Sequence, residues 1–136
     1  MMRLFSTISK NYCQKNNAMK DIENREDIEQ LVDAFYRRVR EDDVVGVIFN
    51  EVVTINWNKH LPVMCDFWDN VLFFSGKYTG NPMDLHKNLH NIRPIDNRHF
   101  ARWLQLFTET VDGLYKGKKA ELAKQRAKSI SSIIQD

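Results

Sequence analysis

Apolar residues recur along this chain at intervals of three or four positions, with polar residues between them. That spacing puts them on one side of an α-helix, and no segment sustains the strict alternation of a strand. The first predicted helix covers 25–40, with Ile28, Leu31, Val32, Phe35 and Val39 on one side and Asn24 placed to cap its start. A short apolar piece, 44–49, follows Asp42 and Asp43. The next helix is expected over 57–75. Its stripe is His60, Met64, Phe67, Trp68, Val71 and Leu72, with Pro62 in the early turns and Gly76 at the end. Beyond a loop at 77–83 with Gly80, Asn81 and Pro82, a helical turn is expected at 84–89. A strong helix follows over 97–115, presenting Phe100, Trp103, Leu104, Phe107, Val111 and Leu114, and Gly117 stops it. The last helix, 120–135, is basic outside and is expected to bury Leu122, Ile130, Ile133 and Ile134. The fold class is all-α.

Composition narrows this picture. At 136 residues, 43% of them hydrophobic, the chain suits one domain with a real core. Twenty basic against 18 acidic residues leave +2, so no nucleic-acid partner is implied, and the basic stretch 116–128 reads as a solvated helix face. No apolar run reaches the length of a membrane span. The two cysteines, Cys13 and Cys65, are far apart and form no CxxC or CxxCH motif. That argues against a disulfide framework and against a thioether-attached haem, and it suits a reducing, cytoplasmic setting. Residues 1–19 are basic and free of acidic side chains. They are expected to be a disordered leader or extension ahead of a domain at 20–136, the alternative being a mitochondrial targeting peptide.

The candidate chemistry rests on four histidines, His60, His86, His90 and His99. His86 and His90 stand at i and i+4 on one helical face, a spacing that permits a two-histidine metal site. A zinc site needs further ligands, and no recognisable spacing supplies them. There is no phosphate-cradling glycine loop and no nucleophile elbow, and Cys65, in an apolar helical stretch, reads as an inert buried thiol. Eight Phe, three Trp and five Met could line a wide apolar cofactor slot or simply fill a core. Residue types alone therefore leave three accounts open: a haem protein, a small zinc-binding bundle, and a cofactor-free helical interaction module.

Four stretches in order change the balance. They are Phe35-Tyr36; His60-Leu61-Pro62 through Phe67-Trp68; Tyr78 through Gly80-Asn81-Pro82 to His86; and His99-Phe100 through Trp103-Leu104 to Leu106-Phe107. In order and spacing the chain resembles the group III truncated haemoglobins from about residue 21 onward. The resemblance implies a two-over-two helical sandwich around a non-covalent haem b, with His86 as the iron ligand and His90 as its competitor by register. It implies a distal tyrosine at Tyr36, a distal gating histidine at His60 and an indole donor at Trp103. Phe49, Met64, Phe67, Trp68 and Phe107 would then be pocket wall, and Tyr78, Arg93 and Arg98 are candidates to meet the haem propionates. The implied function is reversible binding of O2, CO and NO at a five-coordinate iron. Oxygen binding or transport, or removal of NO or peroxide by a dioxygenase-like or peroxidase-like reaction with a separate reductase, would follow from it.

Overall fold

Asn24 begins the first helix as the sequence predicts: its backbone is extended and its side-chain oxygen accepts the Asp27 N–H at 2.9 Å. Such a cap satisfies an amide that the helix itself leaves unpaired, and is worth about 1 kcal/mol. The structure, a computed structural model, describes residues 19–47, 57–77 and 96–135. Four helices run through them: α1 (Arg25–Glu41), α2 (Trp57–Phe73), α3 (Asn97–Leu114) and α4 (Lys118–Gln135). The expected turn at 84–89 and the end of the 44–49 piece lie outside the described residues. α1 buries Ile28, Leu31, Val32, Phe35, Tyr36 and Val39, the predicted side widened by Tyr36.

α2 ends at Phe73, two residues before the expected limit. Phe74 turns into the left-handed region (φ 56°), where an L side chain costs about 1–2 kcal/mol. Gly76 (φ 75°) follows, donating its N–H to Asn70 Oδ1 at 2.8 Å. The last turn of α2 has a partner from elsewhere, because Lys119 Nζ donates to the Leu72 carbonyl at 2.6 Å. α3 opens on a capping box. Asp96 Oδ1 accepts from the N–H groups of Arg98 and His99, while His99 Nδ1 accepts the Asp96 N–H at 3.1 Å. His99 is thereby a helix-start residue. α3 also buries Leu106 and Thr110, off the predicted stripe, because it packs against both α1 and α4.

α4 differs most from expectation. It starts at Lys118, and its buried side is Ala120, Ala123, Ala127 and Ser131, whereas Leu122 and Ile130 are only partly covered. Small side chains on one face let the helix backbone come close to its neighbours, so here the contact surface is the alanine side. Its start is capped from far along the chain. The Asp21 carboxylate accepts the N–H groups of Lys119 and Ala120, both at 2.9 Å, and that of Ile22 at 2.8 Å. Burial alone would raise the Asp21 pKa, but these amides hold it below the ordinary carboxylate value.

α1 packs on α2 and on α3, and α4 packs on α3 and on α2, which makes two antiparallel pairs laid one over the other. Two ion-pair groups tie α1 to its two neighbours. The Arg25 guanidinium meets Asp66 at 2.8 Å and Asp69 at 3.1 Å on α2, and Lys77 reaches Asp69 at 3.2 Å. At the other end of α1, Arg102 of α3 meets Asp42 at 2.7 Å, and the same carboxylate accepts the N–H groups of Val44 and Val45.

Gly117 takes φ 152°, and a Cβ built there would lie 2.4 Å from Asp21 Cγ. Gly117→Ala is expected to displace Asp21 from the start of α4 and destabilise the fold by about 2 kcal/mol, within the range for overpacking a closed site. Urea unfolding monitored by circular dichroism measures it, and an unchanged midpoint would refute the role given to the Asp21 cap.

Candidate functional site

Consecutive residues on a helix diverge by about 100°. Phe35 and Tyr36 can therefore both be buried only because α1 is covered on two sides, by α2 and by α3. Tyr36 faces α2, where its ring meets that of His60 edge-on, with centroids 5.4 Å apart at 82°. His60 lies in the first turn of α2, and Met64, one turn further, is buried. Phe35 faces α3 and meets Trp103 (5.6 Å, 81°) and Phe107 (5.1 Å, 89°) edge-on. Phe107 stacks on Trp68 (4.8 Å, 16°) and on Trp103 (6.0 Å, 10°), and Phe67 meets Trp68 edge-on at 5.0 Å. Offset and edge-to-face arrangements of this kind are the preferred geometries of aromatic pairs.

Burial sets the protonation states. Desolvation, with a smaller contribution from Cys65, pushes the Tyr36 phenol well above its ordinary value, so the hydroxyl keeps its proton. Desolvation also lowers the His60 pKa, and its Nε2 is buried, so the ring is neutral at pH 7. The buried Cys65 thiol, in no disulfide among the described residues, is pushed up to about 11, again mainly by desolvation. A phenol that keeps its proton and a neutral imidazole offer hydrogen-bonding groups without charge among aromatic rings. That donor set fits a wide apolar cofactor carrying a small polar ligand.

Of the residues singled out from the sequence, Tyr36 and His60 come together from α1 and α2, while Trp103 of α3 lies against Phe35, the residue before Tyr36. Met64, Trp68 and Phe107 are buried and Phe67 is half-buried, with Phe107 completely enclosed in the aromatic cluster. Arg98 is exposed in the first turn of α3. Phe49, Tyr78, His86, His90 and Arg93 lie outside the described residues. Among the described residues, no group of three or more His, Cys, Asp or Glu side chains could hold a metal ion. No helix among them is long and apolar enough to cross a membrane.

Two features escaped the sequence reading. One is the set of pairs Arg25–Asp66, Arg25–Asp69 and Asp42–Arg102, whose members are ordinary surface residue types many positions apart. The other is the connecting place of Phe35, which periodicity marks as core and nothing more.

Comparison with known proteins agrees with this arrangement. The sequence model of the bacterial-like globin family matches residues 17–135. A group 3 truncated hemoglobin of Campylobacter jejuni is 33% identical over 116 residues, covering 83% of this chain and 89% of that protein. The crystal structure of a group III truncated hemoglobin from Campylobacter jejuni matches with a TM-score of 0.73 at 33% identity, covering 86% of this chain and 93% of that one. The four-helix sandwich, the sequence match and the structural match make this chain a member of the bacterial-like globins, a group III truncated haemoglobin and so a haem-binding globin.

Proposed function

We propose that this globin reversibly binds oxygen and other diatomic gases, CO and NO, at a non-covalent haem b held through His86. The observation that carries the reading is the edge-on approach of the buried, protonated Tyr36 to His60 at 5.4 Å, inside a frame of aromatic rings. Haem supplies an iron with an open coordination position for the gas. Everything else falls to the chain. Tyr36 donates a hydrogen bond to a polar gas ligand from one side of the site, and Trp103, whose indole N–H is donor-only, supports it from α3. His60, at the start of α2, closes the distal side as a gate. Phe49, Met64, Phe67, Trp68 and Phe107 exclude water, which strengthens each of these hydrogen bonds.

Oxygen is the more polar ligand when bound and carbon monoxide the less polar, so donors discriminate between the two. Hydrogen bonds to a charged acceptor are worth about 1.5–3 kcal/mol each, so two donors slow oxygen release by roughly a hundred- to ten-thousandfold. Release that slow suits removal of NO or peroxide, with a separate reductase returning electrons, better than oxygen delivery. The free, buried thiol of Cys65 suits a reducing compartment such as the cytoplasm.

The defining test is the visible spectrum of protein expressed with haem available, reduced and then exposed to carbon monoxide. A strong Soret band that shifts on adding the gas is expected, and a folded, colourless protein that takes up no haem would refute the reading. His86→Ala should abolish stable haem uptake, whereas unchanged uptake and spectra would transfer the ligand role to His90. Tyr36→Phe should speed oxygen release by about ten- to a hundredfold, the equivalent of one such bond, with a much smaller change in carbon monoxide affinity. Equal effects on both gases, read by stopped-flow, would count against hydrogen-bond control.

His60 gives a pH dependence of definite sign. Its folded pKa lies below the ordinary imidazole value of about 6.5, so the unfolded chain binds the extra proton first. Its contribution to stability is therefore complete above about pH 6.5 and is lost as the pH falls toward the folded value. The His60 NMR signal should show a midpoint below about 6.5. His60→Phe should lose less stability than the parent protein between pH 7.5 and 5.5, and a parallel loss would show that the imidazole is not the group responsible.

A further inference from the structure

We infer that Phe35 is the positioning residue of the distal site, setting where the Tyr36 phenol and the Trp103 indole stand relative to each other and so the preference between polar and less polar gases. The inference rests on the reading of Tyr36 and Trp103 as donors. Phe35 touches no gas in this account and acts only through its neighbours. It is 1% exposed and meets three rings edge-on: Tyr36 on its own helix (4.8 Å, 62°), Trp103 (5.6 Å, 81°) and Phe107 (5.1 Å, 89°) on α3.

The geometry gives the ring little freedom. An edge-on contact depends on the angle as well as the distance, and three such contacts in different directions define the plane of the central ring. Phe107 cannot move aside to release it, being completely buried and stacked on both Trp68 and Trp103. Tyr36 follows Phe35 directly in the chain, so a shift of α1 that relaxed Phe35 would carry Tyr36 with it. A displacement of Trp103 would likewise open the edge contact with Phe35. One buried ring thus couples two donor-bearing side chains on different helices. An aliphatic residue of similar volume would fill the space without holding the angle.

Phe35→Leu tests this, and Phe35→Met, unbranched and better able to fill the gap, replaces it if the leucine variant does not fold. Val111→Ala, another completely buried position on α3, is the control for loss of core packing. The first readout is NMR of the reduced carbon monoxide form. The Tyr36 ring and Trp103 indole N–H signals should both move in the Phe35 variant and hold their places in Val111→Ala. The second is oxygen release, expected to accelerate about two- to tenfold, the equivalent of losing one aromatic pair. Made on top of Tyr36→Phe, the same substitution should have a clearly smaller effect, since most of what it acts through is gone.

Unmoved Tyr36 and Trp103 signals would overturn the inference whatever the gas kinetics. So would an equal acceleration in both backgrounds, which would mark Phe35 as ordinary packing. If Tyr36→Phe alone leaves oxygen release unchanged, the donor reading fails, and the NMR comparison still decides whether Phe35 positions the two rings.

Discussion

The site depends on the register of α1 against its two neighbours. Arg25 pairs with Asp66 and Asp69 at one end of the α1–α2 contact, and Tyr36 meets His60 at the other. From Arg25 to Tyr36 is eleven residues, and from Asp69 back to His60 is nine, so the two helices run antiparallel over about 15 Å of matched length. On the other side, Asp42 holds Arg102 while Phe35 meets Trp103 and Phe107, again an antiparallel match. A slip of one residue on α1 would turn Tyr36 by about 100°, away from His60. Charged pairs set where the helices stand along their axes, and the rings set how they are turned.

These ion pairs serve better as register devices than as sources of stability. Asp69 is largely buried, and desolvation raises its pKa, but Arg25 and Lys77 together hold the carboxyl below its ordinary value. Breaking such a pair leaves an uncompensated charge, whereas keeping it returns little beyond the desolvation cost. The interhelix pairs sit at the two ends of α1, and between them the buried side of that helix is left to uncharged groups, the Asp33–Arg37 pair lying exposed. That division keeps the surroundings of Tyr36 and His60 apolar enough to hold the phenol protonated and the imidazole neutral.

The second layer is secured by a different means. α4 approaches its neighbours through Ala120, Ala123 and Ala127, and Asp21 caps its start with Gly117 making room for the carboxylate. Lys119, in the first turn of α4, also reaches the end of α2 at the Leu72 carbonyl. The entry to α1 and the last helix are thus joined, which closes the frame behind the aromatic cluster.

The sequence by itself determined the all-α class, all four helix positions to within two residues, the Asn24 cap, the buried side of α1 and, on α3, the burial of Phe100, Phe107 and Val111. Those features are written in local periodicity and in capping chemistry, which act within a few residues. Tyr36, His60 and Trp103 were legible as candidates only through the order of family-like stretches, since periodicity marks His60 and Trp103 merely as core and leaves Tyr36 off the stripe. Only the tertiary structure decided that Tyr36 meets His60, that α4 packs by its alanines rather than by Leu122 and Ile130, and that His99 serves to start a helix. It also decided the partners of Arg25, Asp21 and Asp42, and the place of Phe35 between two helices. The reason is physical: a charge or a ring carries no mark of which distant residue will face it, and that choice is made when whole helices find the one register that buries them together.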